Sequence, residues 1–166
     1  KGHTWHANVI AENFARKTGG DYCLLNAPIL FQNKETCNLM KKEPSISQIL
    51  DRGRSCNIAL IGIGEINTLS TSYLGGAFSI NDVTSLTKHN ACASVCTSYI
   101  SKYGKIIDTD LNSRSIGISL NELANTTTIA VSIGNEKVEA TKAALKSGYV
   151  DIFMTSLDIA EKLLEL

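Results

Sequence analysis

The sequence has 166 residues, 43% of them hydrophobic and 19% charged, with only two prolines; that suffices for one domain burying roughly 70% of its unfolded surface, and is too little for two ordinary ones. This composition excludes a disordered or collagen-like chain and one that needs staples to fold. Lysine plus arginine and aspartate plus glutamate are each 16, so no net field draws the chain to nucleic acid or to an anionic membrane, and any DNA contact has to lie elsewhere.

The five cysteines, Cys23, Cys37, Cys56, Cys92 and Cys96, are odd in number and contain no CxxC pair, which reads as reduced small hydrophobes of a cytoplasmic protein. No apolar stretch approaches the ~18 residues of a membrane helix, and no signal peptide is visible. His3 and His6 flank Trp5 near the start without the further ligands a metal site needs, so no metal is expected.

In chain order, Ala7 to Lys17 sets Ala7, Ile10, Ala11, Phe14 and Ala15 on one face against Glu12, Asn13 and Arg16, an amphipathic helix stopped by Gly19-Gly20. Asp21 to Leu25 reads as a strand closed by Asn26-Ala27-Pro28. Phe31 to Lys42 is polar and weakly periodic, and Pro44-Ser45 opens a helix with Ile46, Ile49 and Leu50 inward and Gly53 at its end. Cys56 to Gly64 is the most apolar strand and ends in a glycine turn followed by Glu65. Gly62-x-Gly64 lacks the third glycine and the well-placed acidic residue of a dinucleotide site, so a nicotinamide or flavin cofactor is not expected.

Ser70 to Phe78 is a Ser/Thr/Gly-rich loop of the kind that forms the lip of a site. Ser79 to Asp82 starts a helix that buries Val83 and Leu86 and ends at Lys88-His89-Asn90. Ala91 to Ile100, a turn at Lys102-Tyr103-Gly104 and a return at Lys105 to Ile107 predict a β-hairpin. Ser115 to Ile118 reads as a strand and Leu120 to Leu123 as a short helix. Ile129 to Ile133 is a buried strand broken by Gly134-Asn135, after which Val138, Thr141, Ala144 and Leu145 recur at helical spacing up to Lys146 and Gly148. Val150 to Met154 is a last strand. Thr155 to Asp158 has capping-box spacing ahead of a helix with Ile159, Ala160, Leu163 and Leu164 on its apolar face.

Strands alternating with helices predict an α/β fold, a mostly parallel sheet covered by helices on both faces, with the β-hairpin as an insertion. Ligands of such sheets gather at the C-terminal strand ends, here Asn26 to Pro28, Gly62 to Glu65, Gly134 to Lys137 and Thr155-Ser156. The Gly134 turn suits an anion: backbone N–H groups and the positive end of a helix dipole converge there, and Lys137 stands in that first turn. A cation at a helix N-terminus breaks a local rule, as functional residues often do.

Taken together, Ile58 to Gly64, the Asn90 to Gly104 hairpin, Arg114 to Ile118, Ile129 to Lys137 with Thr141, and Ile152 to Thr155 with the helix after it resemble the effector-binding domain of bacterial SorC/DeoR-type sugar-responsive transcriptional regulators. The resemblance runs from about Ala7 to the C-terminus and includes Leu25 to Pro28. It implies a fold like that of glucosamine-phosphate isomerase, ribose-phosphate isomerase and the CoA-transferases, a phosphorylated sugar as effector, a homodimer or homotetramer, and DNA binding only through a helix-turn-helix outside this chain. On this reading residues 1–166 are a single effector-binding domain lacking its opening strand, its phosphate loop and the helix-turn-helix.

The same resemblance implies that Lys137 contacts the effector's phosphate, with Gly134-Asn135 as the turn before it. Gly64, Glu65 and Ser94 then lie near the sugar, Ser94 standing where the family usually carries an acidic residue. No catalytic residue is expected, since the sequence presents no acid and base of recognisable geometry. The competing readings are a sugar-phosphate isomerase-like enzyme, for which Glu65, Asp108 and Glu136 are the available bases, and a non-sensing oligomerisation domain.

Overall fold

The computed structural model describes residues 7–165; His3, Trp5 and His6 lie outside that range. Helix α1 (Ala7–Thr18) buries Ala15, while Ile10 and Phe14 on the same apolar stripe stay 47% and 60% exposed and line an open cleft. The stretch expected as a strand, Asp21 to Leu25, is irregular. An apolar run becomes a strand only where another strand offers N–H and C=O groups in register; here Leu25 O takes a bond from Asn8 Nδ2 and Cys23 Sγ one from Arg52. Asn33 opens α2 (Lys34–Lys42) by accepting from the Thr36 N–H. Pro44 starts α3 (Pro44–Arg54), whose Ile46 and Leu50 pack with Cys37 and Ile116.

The apolar run read as one strand from Cys56 to Gly64 is two. β1 (Ile58–Gly62) and β2 (Gly64–Glu65) belong to different sheets and part at Ile63. The Ser/Thr-rich segment carries a short helix, α4 (Thr71–Leu74), capped by Ser70. α5 (Ile80–Lys88) begins at the expected place: Ser79 and Asp82 form a reciprocal capping box, and Val83 and Leu86 are buried.

The hairpin turns earlier than expected. β3 (Ala91–Val95) and β4 (Ser98–Ser101) meet through Cys96-Thr97, with Cys96 at φ 55. The turn at residues 102–104 then joins β4 to β5 (Ile106–Ile107). A short α6 (Asp110–Arg114) follows, and the predicted strand at Ser115 to Ile118 reduces to a single bridge between Leu30 and Ser115. A 3-10 turn at Leu120–Leu123 leads into β6 (Thr127–Ser132), a second 3-10 turn (Asn135–Lys137), α7 (Val138–Lys146), β7 (Ile152–Thr155) and α8 (Leu157–Leu164). Thr155 does not cap α8, because its Oγ1 donates across the sheet to Ser132 O at 2.7 Å, and Ser156 takes the N-cap position. Ile159 is buried, but Leu164, expected inward, is 84% exposed.

The strands form a three-stranded parallel sheet, β1-β6-β7, and a four-stranded antiparallel sheet, β2-β3-β4-β5. The α/β reading with a parallel sheet flanked by helices is borne out, and the hairpin is the middle of the second sheet. Parallel register sets Ile61 and Ala130 on the face where Ala140, Ala143 and Ala144 of α7 join Ala93, Val95 and Ile100 in the main core. Helical cover is uneven: on the opposite face Ile58, Leu60, Ile152 and Met154 are 47–61% exposed. Among the described residues β1 pairs only with β6, which leaves its other edge without a strand.

A second core, around Leu86, Tyr99 and Leu111, is edged by an ion network. Arg114 bonds to Asp82 at 3.0 Å, to Asp110 at 2.6 Å and to Phe31 O at 2.6 Å. Burial opposes ionisation of Asp82, but bonds from the Ser79 hydroxyl and N–H and from Arg114 outweigh it and hold the carboxyl below its ordinary value of 3.8. A depressed carboxylate stabilises the fold above its unfolded pKa and loses that contribution as pH falls through the folded one. The melting midpoint of the parent should therefore drop on acidification below about pH 3.8, and Asp82→Asn, starting lower, should lose less over that interval when melts are compared.

Candidate functional site

Three strand ends build the site. β1 stops at Gly62 and the chain crosses through Ile63 into β2, where Gly64 pairs with Ser94 and Glu65 with Ala93. The next strand of the parallel sheet, β6, stops at Ser132 and feeds the 135–137 turn, which packs against β2. Gly64, Ser94 and Lys137 therefore line one cleft of about 1190 Å³, roofed by Phe14, Tyr22 and Phe78. It runs along the exposed face of β1 from Cys56 through Ile58 and Leu60 and reaches the C-terminal end at Gly62 and Gly64, the end at which open α/β sheets hold ligands.

Gly134 makes the turn possible. Its φ of 113 and ψ of 132 fall in a region that side chains reject, and a Cβ there would run into Glu136 Oε1. Gly134→Ala should destabilise the protein by about 1–3 kcal/mol, and most of that cost should remain in Gly134→Ala/Glu136→Ala, because the second change removes the clash and not the backbone strain. Denaturant melts of the two variants check this.

Lys137 sits at the N-cap position of α7. Its N–H donates to Gly134 O at 3.0 Å and the Val138 N–H to Asn135 O, so the turn consumes two of the donors expected to face an anion. The Lys137 ammonium forms no ion pair among the described residues. At the positive end of α7 it stands at a local cost of about 0.3–1 kcal/mol, which a bound anion reverses. Asn135 is engaged differently: its Oδ1 accepts from Lys162 Nζ at 2.6 Å and so ties the turn to α8.

Of the six residues read from sequence, the structure brings Gly64, Ser94 and Lys137 together on the cleft, with Gly134 shaping the turn behind Lys137. Asn135 is not on the cleft. Glu65 is half-buried beside it, and its Oε2 is buried without a hydrogen-bond partner among the described residues. Thr71 and Ser72 also line the cleft, as the lip reading of that segment expected. Sequence reading missed Phe14 and Tyr22 as lining: a helical stripe and a short apolar run signal burial, and nothing in them distinguishes core from cleft wall.

Cys96 lines the cleft, but burial pushes its thiol up to about 11, far from a thiolate at neutral pH. Asp108 is exposed beyond β5. Among the described residues no group of three or more His, Cys, Asp or Glu side chains could hold a metal, and no helix is long and apolar enough to cross a membrane.

A family model described as "Putative sugar-binding domain" matches residues 1–165. A DeoR family transcriptional regulator from Listeria monocytogenes is similar in structure, with a TM-score of 0.88 at 28% identity over 98% of this chain and 66% of that one. The full-length sorbitol operon regulator SorC from Klebsiella pneumoniae shares the fold, with a TM-score of 0.87 at 21% identity over 97% of this chain and 53% of that one. The deoxyribonucleoside regulator of Bacillus subtilis (strain 168) is 26% identical over 140 residues, 84% of this chain and 44% of the regulator. The chain thus spans about half the length of the curated relatives it matches.

Proposed function

Because this chain belongs to the sugar-binding domain family of DeoR/SorC transcriptional regulators, we propose that it is the effector-sensing part of a cytoplasmic bacterial regulator and that its effector is a phosphorylated sugar. The carrying observation is the meeting of Lys137 with Gly64 and Ser94 on one cleft at the strand ends. A lysine acts on phosphate as a point charge, while Ser94 offers the sugar a neutral donor and acceptor. Residues 1–166 form one effector-binding domain of a longer protein. The edge of β1 that no strand pairs with among the described residues suits a further strand from that longer chain, which also carries the phosphate loop and the helix-turn-helix. The sugar phosphate shifts the regulator between oligomeric or DNA-binding states by its differential affinity for them, and the assembled unit is a homodimer or homotetramer.

The test is a melting titration of the chain against a panel of sugar phosphates, with product assays run alongside. Saturable stabilisation without turnover is the expected result. Turnover would replace the sensor by an isomerase-like enzyme, and indifference to every sugar phosphate with concentration-dependent association would replace it by an oligomerisation domain.

A further inference from the structure

We infer that the outer edge of β7 is a self-association surface, on which β7 of a second copy pairs antiparallel about a two-fold axis and joins the two parallel sheets into one; the inference rests on the homo-oligomer reading above and gives it an interface. Among the described residues β7 pairs only with β6. Asp151 donates its N–H to Thr128 O on the β6 side, so by alternation the N–H and C=O groups of Ile152 and Met154 point the other way. No backbone group meets them there among the described residues, and an edge of that kind is a template for another strand.

The remaining strand edges are occupied or guarded. β1 borders the cleft. β2 and β5 have two residues each; the first packs against the 135–137 turn and the second is flanked by Lys105 and Asp108. β7 carries none of the usual guards, because residues 152–157 contain neither a charge nor a proline and Ile152, Met154 and Leu157 stand 47%, 55% and 75% exposed. These features specify a second copy as the occupant. It brings the same uncharged strand, and a two-fold axis closes the contact at two subunits. With the axis at Phe153, Ile152 of each copy lies opposite Met154 of the other, the two residues exchange their outward N–H and C=O groups, and their apolar side chains form a cross-strand pair. Asp151 then faces Thr155, so no like charges meet. One short strand pair makes a small interface, under about 1,200 Å² in total, and its assembly depends on concentration. No residue of β7 or α8 lines the cleft, so the dimer leaves the cleft open to ligand.

Sedimentation equilibrium of this chain from about 1 µM to about 1 mM tests the interface: the weight-average mass should climb from that of one copy toward that of two. Met154→Lys and Ile152→Glu should each weaken the dimer about tenfold or more, because the two-fold axis doubles every change and a charge replaces half of an apolar pair. The double variant Ile152→Glu/Met154→Lys should recover most of that loss, since the register sets each new carboxylate opposite a new ammonium. Leu39→Lys, at an exposed position of α2, should leave the association within about twofold. Circular-dichroism melts check that each variant folds, and Met154→Gln repeats the measurement should a charged variant not do so. A parent that associates with unchanged strength in the β7 variants overturns the β7 interface and leaves the homo-oligomer reading standing, and a double variant no better than either single change overturns the two-fold pairing. A parent that stays monomeric throughout overturns the inference and the homo-oligomer reading together, while the phosphosugar reading is decided separately by the ligand titration.

Discussion

Lys137→Ala should abolish the stabilisation of this chain by sugar phosphates and by inorganic phosphate alike. A ligand at about 100 times its dissociation constant adds about 2.7 kcal/mol to the folded state, which for a chain of this size is a shift of roughly 5–10 °C in the melting midpoint. Lys137 is the one cation lining the cleft among the described residues, and the turn in front of it already spends the Lys137 and Val138 N–H groups on its own carbonyls. On the phosphosugar proposal, the charge that would hold the phosphate is therefore concentrated on one ammonium. Without ligand the variant should be as stable as the parent or slightly more so, because the substitution removes a cation from the positive end of α7. A variant that still shifts by the full amount would mean that the phosphate sits elsewhere.

Arg114→Ala should be the most damaging single change away from the core. Arg114 and Asp82 are each only 14% exposed, and the one guanidinium joins α5 through Asp82, α6 through Asp110 and the 29–31 segment through Phe31 O. Removing one partner of a buried pair leaves the other desolvated and unpaired, a loss of about 3–5 kcal/mol, and a midpoint lower by roughly 10 °C. Asp82 keeps its bonds to Ser79, which places the expectation toward the lower end. The bond to Asp110, whose side chain is 70% exposed, contributes little. Asp82→Asn combined with Arg114→Ala should cost less than the sum of the two, because the coupling between them is counted once. A loss under about 1 kcal/mol for Arg114→Ala would show that the network is dispensable.

Local chemistry made much of this molecule legible. The Ser79 and Asp82 capping box, Pro44 at the start of α3 and the glycine break after β6 each depend on residues within a few positions of one another, and each stands where the sequence put it; the face that α7 buries, Ala140, Thr141, Ala143 and Ala144, shares only Thr141 and Ala144 with the expected Val138, Thr141, Ala144 and Leu145. The exceptions share a cause. Asp21 to Leu25 has the composition of a strand but no neighbour in register among the described residues, Ser115 to Ile118 finds only the bridge from Ser115 to Leu30, and Cys56 to Gly64 has the composition of one strand but serves two sheets. Pairing partners lie tens of residues away, and an apolar run carries no record of which edge will meet it.

The candidate site divides along the same line. Lys137 was visible because a cation at a helix start contradicts the helix dipole, and Gly134 because a strand ended at it; both are statements about adjacent residues. That Gly64 and Ser94 stand across a strand pair beside that lysine, that Asn135 is turned away to Lys162, and that Glu65 keeps a buried oxygen without a partner among the described residues were decided only by tertiary structure. The sequence by itself determined α1, α3, α5, α7 and α8 and where the glycine turns fall, since propensity, capping and backbone dihedrals are short-range, whereas α2, α4 and α6 were not legible in it. Tertiary structure decided which strand ends converge, which apolar faces stay open and which polar atoms are left unmet, since those depend on packing between elements that the chain brings together only when it folds.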